Sequence, residues 1–188
     1  DSCDVTSLDD RPAPSVLLTF RATNARSFQR ETELSLLATS MAEKEVVRRV
    51  PWHAGGSTVA VLPVAGVFGA NGSGKSNLLK VMDDMRSFVL HSFRHGDPTG
   101  GVGRHPFALS ERSRIQPTSF EIDLVLDGVR HEYGFTIDDE QVLEEWAFRY
   151  PKGRAALVFR RSGAEVDVGA SERAKSRAVI DLLRPNAL

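Results

Sequence analysis

Residues 62–80 read Leu62-Pro63-Val64-Ala65-Gly66-Val67-Phe68-Gly69-Ala70-Asn71-Gly72-Ser73-Gly74-Lys75-Ser76-Asn77-Leu78-Leu79-Lys80. Three kinds of pattern follow one another here. Residues 64–68 are wholly apolar or Gly, as in a strand buried on both faces, and Pro63 places the start of that strand after it. Residues 69–76 match G-x-x-x-x-G-K-[ST], the phosphate-binding loop. From Lys75 to about Phe93 the apolar residues Leu78, Met82, Met85 and Val89 recur at i, i+4, i+7 and i+11, which predicts an amphipathic helix. A buried strand, a glycine loop and a helix in direct succession predict an α/β fold of the P-loop NTPase type.

Each residue type in the loop has a chemical task. A polyphosphate needs many donors converging on a small anion. Gly69, Gly72 and Gly74 let the backbone curl so that successive N–H groups point inward, and Ala70, Asn71 and Ser73 complete the curl. The helix that begins there adds N–H groups with no intrahelical acceptor and a partial positive charge. Lys75 supplies a point charge for the β- and γ-phosphates. Ser76 offers a hydroxyl to Mg²⁺, and Asn77 continues the line of donors into the helix. ATP and Mg²⁺ are therefore the expected cofactors, held by Gly69, Ala70, Asn71, Gly72, Ser73, Gly74, Lys75, Ser76 and Asn77, with Ser76 as the metal contact.

The rest of the 188 residues bounds this reading. Lys+Arg number 24 and Asp+Glu 25, a net charge of −1, which argues against a dedicated polybasic nucleic-acid binder but not against a local basic face. Hydrophobic residues make up 41% and charged residues 26%, enough apolar content for a core. The single Cys3 excludes an internal disulfide and a cysteine-based zinc site. No apolar run approaches the roughly 20 residues that span a bilayer, so no membrane partner and a cytoplasmic location are expected. The chain starts at Asp1 rather than Met and stops just past a helical pattern. Both ends suggest a piece of a longer protein.

Along the chain, residues 1–14 read as an acidic disordered tail and 15–188 as one unit. Residues 16–20 and 31–38 predict strands, and 41–58 a charged, Gly-rich surface excursion. Residues 15–95 thus hold strands, phosphate loop and helix, and 96–117 a loop. Residues 118–170 form an antiparallel β-subdomain and 171–184 a helix capped by Ser171. In the β-subdomain, Asp127-Gly128 between two alternating runs is the strongest hairpin signal. Trp146, Phe148 and Tyr150 alternate on a strand and read as core. Arg154, Arg160, Arg161, Arg173 and Arg177 read as a solvated basic face. His91 and His95 sit at i, i+4 with Asp97 and His105 nearby, and read as exposed histidines rather than a metal site.

Hydrolysis requires more than a phosphate loop: an acid ending a second buried strand, and a group to orient water. Leu124-Val125-Leu126-Asp127 is the nearest such run, and its alternation fits a hairpin better. Leu109-Ser110-Glu111 lacks the glycines of an LSGGQ-like signature. No residue is therefore assigned a catalytic role.

Three stretches together carry a family resemblance: Thr23-Asn24-Ala25-Arg26-Ser27-Phe28, then Leu34-Ser35-Leu36, then 62–80 with its Asn-Leu-Leu-Lys after the loop. They resemble the N-terminal part of AAA-family ATPases with ABC-type heads, the RecF/SMC/OLD-like group that includes abortive-infection and phage-defence ATPases. Residues 121–127, Tyr133-Gly134-Phe135 and Leu143-Glu144-Glu145-Trp146 are similar to the β-rich stretch that follows the loop in that group. The chain departs from it at Ala25, where the family has Phe. The resemblance implies an incomplete domain whose signature motif, Walker B acids and switch histidine lie in a further part. It implies ATP sandwiched between two heads of a homodimer, hydrolysis once the head is complete, antiviral defence, and an effector nuclease partner. It leaves DNA contact open and places Arg26 near the nucleotide. A small P-loop kinase with residues 94–114 as an arginine-bearing lid, and a non-catalytic module whose assembly nucleotide regulates, are the alternatives.

Overall fold

In the computed structural model, residues 15–95, 101–173 and 183–188 are described. The tail at 1–14 and most of the helix expected over 171–184 lie outside them.

Among the described residues, nine strands and two helices follow in the order β1 (Val16–Thr23), β2 (Thr32–Ser35), β3 (Arg48–Pro51), β4 (Thr58–Val61), α1 (Lys75–His95), α2 (Glu111–Ile115), β5 (Thr118–Leu126), β6 (Val129–Ile137), β7 (Val142–Arg149), β8 (Ala156–Ser162) and β9 (Glu165–Val168). Seven of the strands form one sheet in the order β2-β1-β5-β6-β7-β8-β9, antiparallel at every pairing. The mixed α/β character and the antiparallel sheet agree with the sequence. So does the β5–β6 hairpin: Leu126 pairs with Val129, and Asp127 and Gly128 sit at φ 48° and 73°. Two left-handed residues make the type I′ turn whose twist suits a two-residue hairpin. Asp127 is thereby an exposed turn residue.

Helix α1 lies on one face of the sheet because its apolar stripe matches the alternation of the strands. Leu78, Val81 and Met85 are buried with Phe20, Ala22, Phe120, Phe135, Ile137 and Val142 in one cluster. Phe88 of α1 meets the rings of Phe120 and Phe135 at centroid distances of 6.0 and 5.9 Å. Ala25, where the resembled family has Phe, is buried in the same cluster. On the other face, the hairpin β3–β4 covers a smaller cluster of Leu18, Val50, Val61 and Val125. Charge and glycine content had marked 41–58 as an excursion. The glycines in fact form the turn of this hairpin, with Val50 and Val61 its inward residues.

The largest correction concerns residues 64–68. No strand forms there: β4 ends at Val61, and the last ladder-like bond is Leu62 N–H to Leu36 O at 2.7 Å. Val64 is 77% exposed and Phe68 92%. A strand buried on both faces needs neighbours to bond its backbone and layers to cover its side chains. Among the described residues neither is supplied. An apolar run states what a strand would bury, and is silent on whether the partner is present.

Three smaller corrections follow the same logic. The expected loop over 96–117 contains α2, capped by the Ser110 hydroxyl accepting from Ser113 N–H. Arg161, read as part of a solvated face, is only 2% exposed. It donates to Ala187 O at 2.7 Å and to the carbonyls of Arg184 and Gly163, and so holds the segment 183–188 against the sheet. Trp146 and Phe148 are half-buried on the face away from α1, where Trp146 lies over Gly134. Tyr150 instead packs against Trp52 and under the Arg130 guanidinium. Among the described residues no helix is long and apolar enough to cross a membrane.

Candidate functional site

The loop at 69–76 bridges the unpaired segment and α1, and its conformation follows from its composition. Gly72 and Gly74 adopt φ of 82° and 92°, left-handed values that cost a side-chain-bearing residue strain. Ser73 N–H closes a turn onto Ala70 O at 3.2 Å. Lys75 folds back over the loop and donates from Nζ to Gly69 O at 2.8 Å and Ala70 O at 2.7 Å. That clamp fixes the start of the loop against the start of the helix. Helical bonding opens with Leu78 N–H to Gly74 O at 3.1 Å, so the N–H groups of Lys75, Ser76 and Asn77 precede any intrahelical acceptor. A hollow of about 420 Å³ lies over Asn71, Gly72, Ser73, Gly74, Lys75, Ser76 and Asn77.

The donor set suits a polyphosphate with its magnesium. The backbone N–H groups at the start of the helix and one ammonium suit an anion. The exposed Ser76 hydroxyl at the first turn answers a hard cation that keeps most of its waters. Among the described residues no cluster of three or more His, Cys, Asp or Glu side chains could hold a metal by itself, so the phosphates would supply part of any Mg²⁺ coordination.

Tertiary structure adds a second set of residues to the loop. The turn after β1 carries Asn24 and Arg26 at φ 52° and 51°, a conformation that Asn tolerates and Arg adopts only when held. Holding is visible at every residue. Asn24 Nδ2 donates to Ser113 O at 2.7 Å and Gln116 O at 2.8 Å, and its Oδ1 accepts from Phe107 N–H at 3.1 Å. Thr118 Oγ1 donates to Asn24 O at 2.8 Å. Arg26 N–H donates to His105 O at 2.7 Å, while the guanidinium makes two 2.6 Å bonds to Asp84 on α1. Those bonds raise the Arg26 pKa above its ordinary value, chiefly through the Asp84 hydrogen bond and against the opposing effect of burial. Ser27 comes next and lies directly against the loop: a Cβ on Gly74 would sit 2.8 Å from Ser27 Oγ and 3.6 Å from the Phe28 ring.

Arg26, Ser27, Gly72, Ser73 and Asn77 share one hollow, so the turn and the phosphate loop do meet. Its far side is the segment 104–109, a stretch that sequence reasoning left as undifferentiated loop. Arg104 anchors that segment. Its side chain is 1% exposed and donates to Asp139 Oδ1 at 2.8 Å, Arg114 O at 2.6 Å and Gln116 O at 2.6 Å. No local signal marks Arg104, because it acts through bonds to Arg114, Gln116 and Asp139 farther along the chain. The weak signal was Asn24 itself, a residue type suited to a left-handed turn. His91 is exposed on α1, beside the Asp84 and His105 pair that line a separate hollow of about 270 Å³. The side chain of His95 lies outside the described residues.

A sequence model of the family described as "AAA domain, putative AbiEii toxin, Type IV TA system" matches residues 64–176. No curated protein matches the chain.

Proposed function

Because the chain belongs to this AAA-domain family, we propose that it binds ATP with Mg²⁺ through residues 69–77, as the N-terminal part of an ABC-type ATPase head. The observation that carries the reading is the Lys75 clamp on Gly69 O and Ala70 O, which curls the loop around the first turn of α1. Backbone donors of 70–77 other than Ser73 N–H, which bonds Ala70 O, would bind the phosphate oxygens. Lys75 neutralises charge at the β- and γ-phosphates, and Ser76 Oγ ligates the cation. A bound Mg²⁺ would be held by Ser76 Oγ and would supply countercharge to the phosphates.

On this reading no residue is assigned the role of polarising water. Asp127 sits in a hairpin turn, so hydrolysis belongs to a complete head. Exposed Val64 and Phe68, with Leu79, Leu90 and Phe93 on the outer side of α1, support an incomplete domain that further strands would cover. Pairing of two heads, a cytoplasmic setting, a role in antiviral defence and an effector nuclease partner are further parts of this proposal, resting on the resemblance to the ABC-type group. A kinase with a closing lid is disfavoured, because the segment 104–109 is bound to the body through Asn24 and Arg104.

Isothermal titration of the purified chain with Mg·ATP tests the reading. Binding is expected, with loss of at least about tenfold in affinity in Lys75→Ala, the scale of a lost charge-assisted bond. Turnover by the chain alone is expected to be negligible. Absence of binding, or ordinary ATPase turnover that Lys75→Ala abolishes, contradicts the corresponding part.

A further inference from the structure

Only part of the sheet face turned away from α1 carries a second layer. The hairpin β3–β4 closes over Leu18 and Val125 at one end. Directly paired residues share a face, and the register lays one row of them across all seven strands, from Glu33 on β2 through Gly134 and Trp146 to Asp167 on β9. The row changes character at Gly134. On its β2 side, Arg21 holds both Glu33 and Glu121 in ion pairs. On its β9 side stand aromatic and acidic residues without such pairing.

Gly134 is what lays Trp146 down. A Cβ there would stand 2.4 Å from Cζ2 and 2.7 Å from Cε2 of the indole, and 2.9 Å from Phe120 O, so the ring rests on the β6 backbone. One side of the indole is thereby against the sheet. Trp146, Phe148 and Leu157 share this face, are half-buried and belong to neither buried cluster. Beside them Glu144, Glu165 and Asp167 are exposed and make no ion pair among the described residues. Arg160 is the one cation among the strand residues of β7, β8 and β9 on this face, so the acids are in excess.

Such a surface selects its occupant by charge. A nucleic acid or an anionic lipid surface has the same sign as the rim and is repelled. A purely apolar partner would bury carboxylates without a counter-charge. A basic protein segment satisfies both parts. Its lysine or arginine heads meet the carboxylates, and one of them sits over the outward side of the indole. The chain's own arginines already make that contact elsewhere, Arg130 over Tyr150 at 4.5 Å and Arg184 over Phe93 at 4.4 Å. Among the described residues no cation lies over Trp146.

We propose that the outer face of β7, β8 and β9, centred on Trp146 and rimmed by Glu144, Glu165 and Asp167, docks a basic segment of a partner protein, with an arginine or lysine of that segment over the indole. The proposal does not depend on the nucleotide reading, because α1, which follows the phosphate loop, packs on the other face.

The chain has two tryptophans, Trp52 and Trp146, so ¹⁵N-labelled protein gives two indole N–H resonances, which Trp146→Phe assigns. The probe is an octa-arginine peptide, titrated into the wild type and into the double variant Glu144→Lys with Asp167→Lys. Both positions are exposed, and thermal melting checks the fold. The Trp146 resonance is expected to move with the peptide and the Trp52 resonance to stay. The double variant is expected to bind at least about tenfold more weakly. Glu144→Lys alone repeats the comparison if the double variant melts early, with weakening of at least about threefold expected. A Trp146 resonance that octa-arginine leaves in place, or undiminished binding by the charge-reversed variants, overturns the proposal. Movement of that resonance with oligo-dT overturns it in favour of nucleic acid, and movement on concentrating the chain alone overturns it in favour of a second copy.

Discussion

Gly72 and Gly74 carry the same left-handed backbone and differ in what surrounds them. A Cβ at Gly72 would meet nothing within 4 Å, whereas one at Gly74 would press on Ser27 Oγ at 2.8 Å. Gly72→Ala is therefore expected to cost only the left-handed strain, about 1–2 kcal/mol. Gly74→Ala carries the same strain plus a contact against the turn that positions Arg26. Thermal melting should rank Gly74→Ala below Gly72→Ala, and Ser27→Ala added to Gly74→Ala should narrow the gap. Equal melting of the two single variants would show that Ser27 does not brace the loop. At this scale the sequence was fully legible for the glycines, whose spacing names the loop. It could not reveal Ser27, which reaches Gly74 only through the turn after β1.

Among the elements, β7 and β8 share a buried ionic group that ties the sheet to the segment 183–188. Glu145 accepts from Tyr133 Oη at 2.9 Å and lies 3.8 Å from Arg161 Nη1. Burial pushes the Glu145 carboxyl above its ordinary value, while the Tyr133 hydrogen bond and Arg161 pull it down. Burial likewise lowers Arg161. Arg161→Met leaves a buried carboxylate without its counter-charge and frees the carbonyls of Gly163, Arg184, Pro185 and Ala187, so a loss of about 3–5 kcal/mol is expected. The sign of the pH dependence follows from the raised carboxyl. Between its ordinary and its raised value the folded chain binds more protons than the unfolded one, so stability falls as pH rises through that window. Removing Arg161 extends the window upward. Denaturant titrations of Arg161→Met should thus show the smallest loss at acid pH, and Glu145→Gln in that background should recover part of the loss at neutral pH. A loss independent of pH, unrelieved by Glu145→Gln, would assign Arg161 a purely carbonyl-binding role. The strands themselves were legible from alternation. That one arginine in a basic run is buried was not, because the pairing of β7 with β8 decides which side it faces.

At the scale of the whole molecule, the uncovered apolar surface is the governing feature. Val64, Phe68, Leu79, Leu90 and Phe93 are all exposed, on the segment before the loop and on α1. The isolated chain is expected to bind a hydrophobic dye such as ANS, and Val64→Ser with Phe68→Ser to reduce that binding. Stability should stay within about 0.5 kcal/mol, as for surface positions. A large stability loss in this double variant would mean that 64–68 is buried in solution.

By itself the sequence determined the phosphate loop, the amphipathic face of α1 and the β5–β6 hairpin, because each depends on spacing within a few residues. Only the tertiary structure decided what surrounds the loop. Asn24 reaches Ser113 across 89 positions of sequence, and Arg104 locks the wall that faces Gly72 and Asn77. The strand expected at 64–68 is the converse case. Its composition was read correctly as apolar, but a strand is a relation between segments, and among the described residues no segment pairs with it. Local spacing fixes what a stretch of chain can do, while long-range register fixes which residues it does it with.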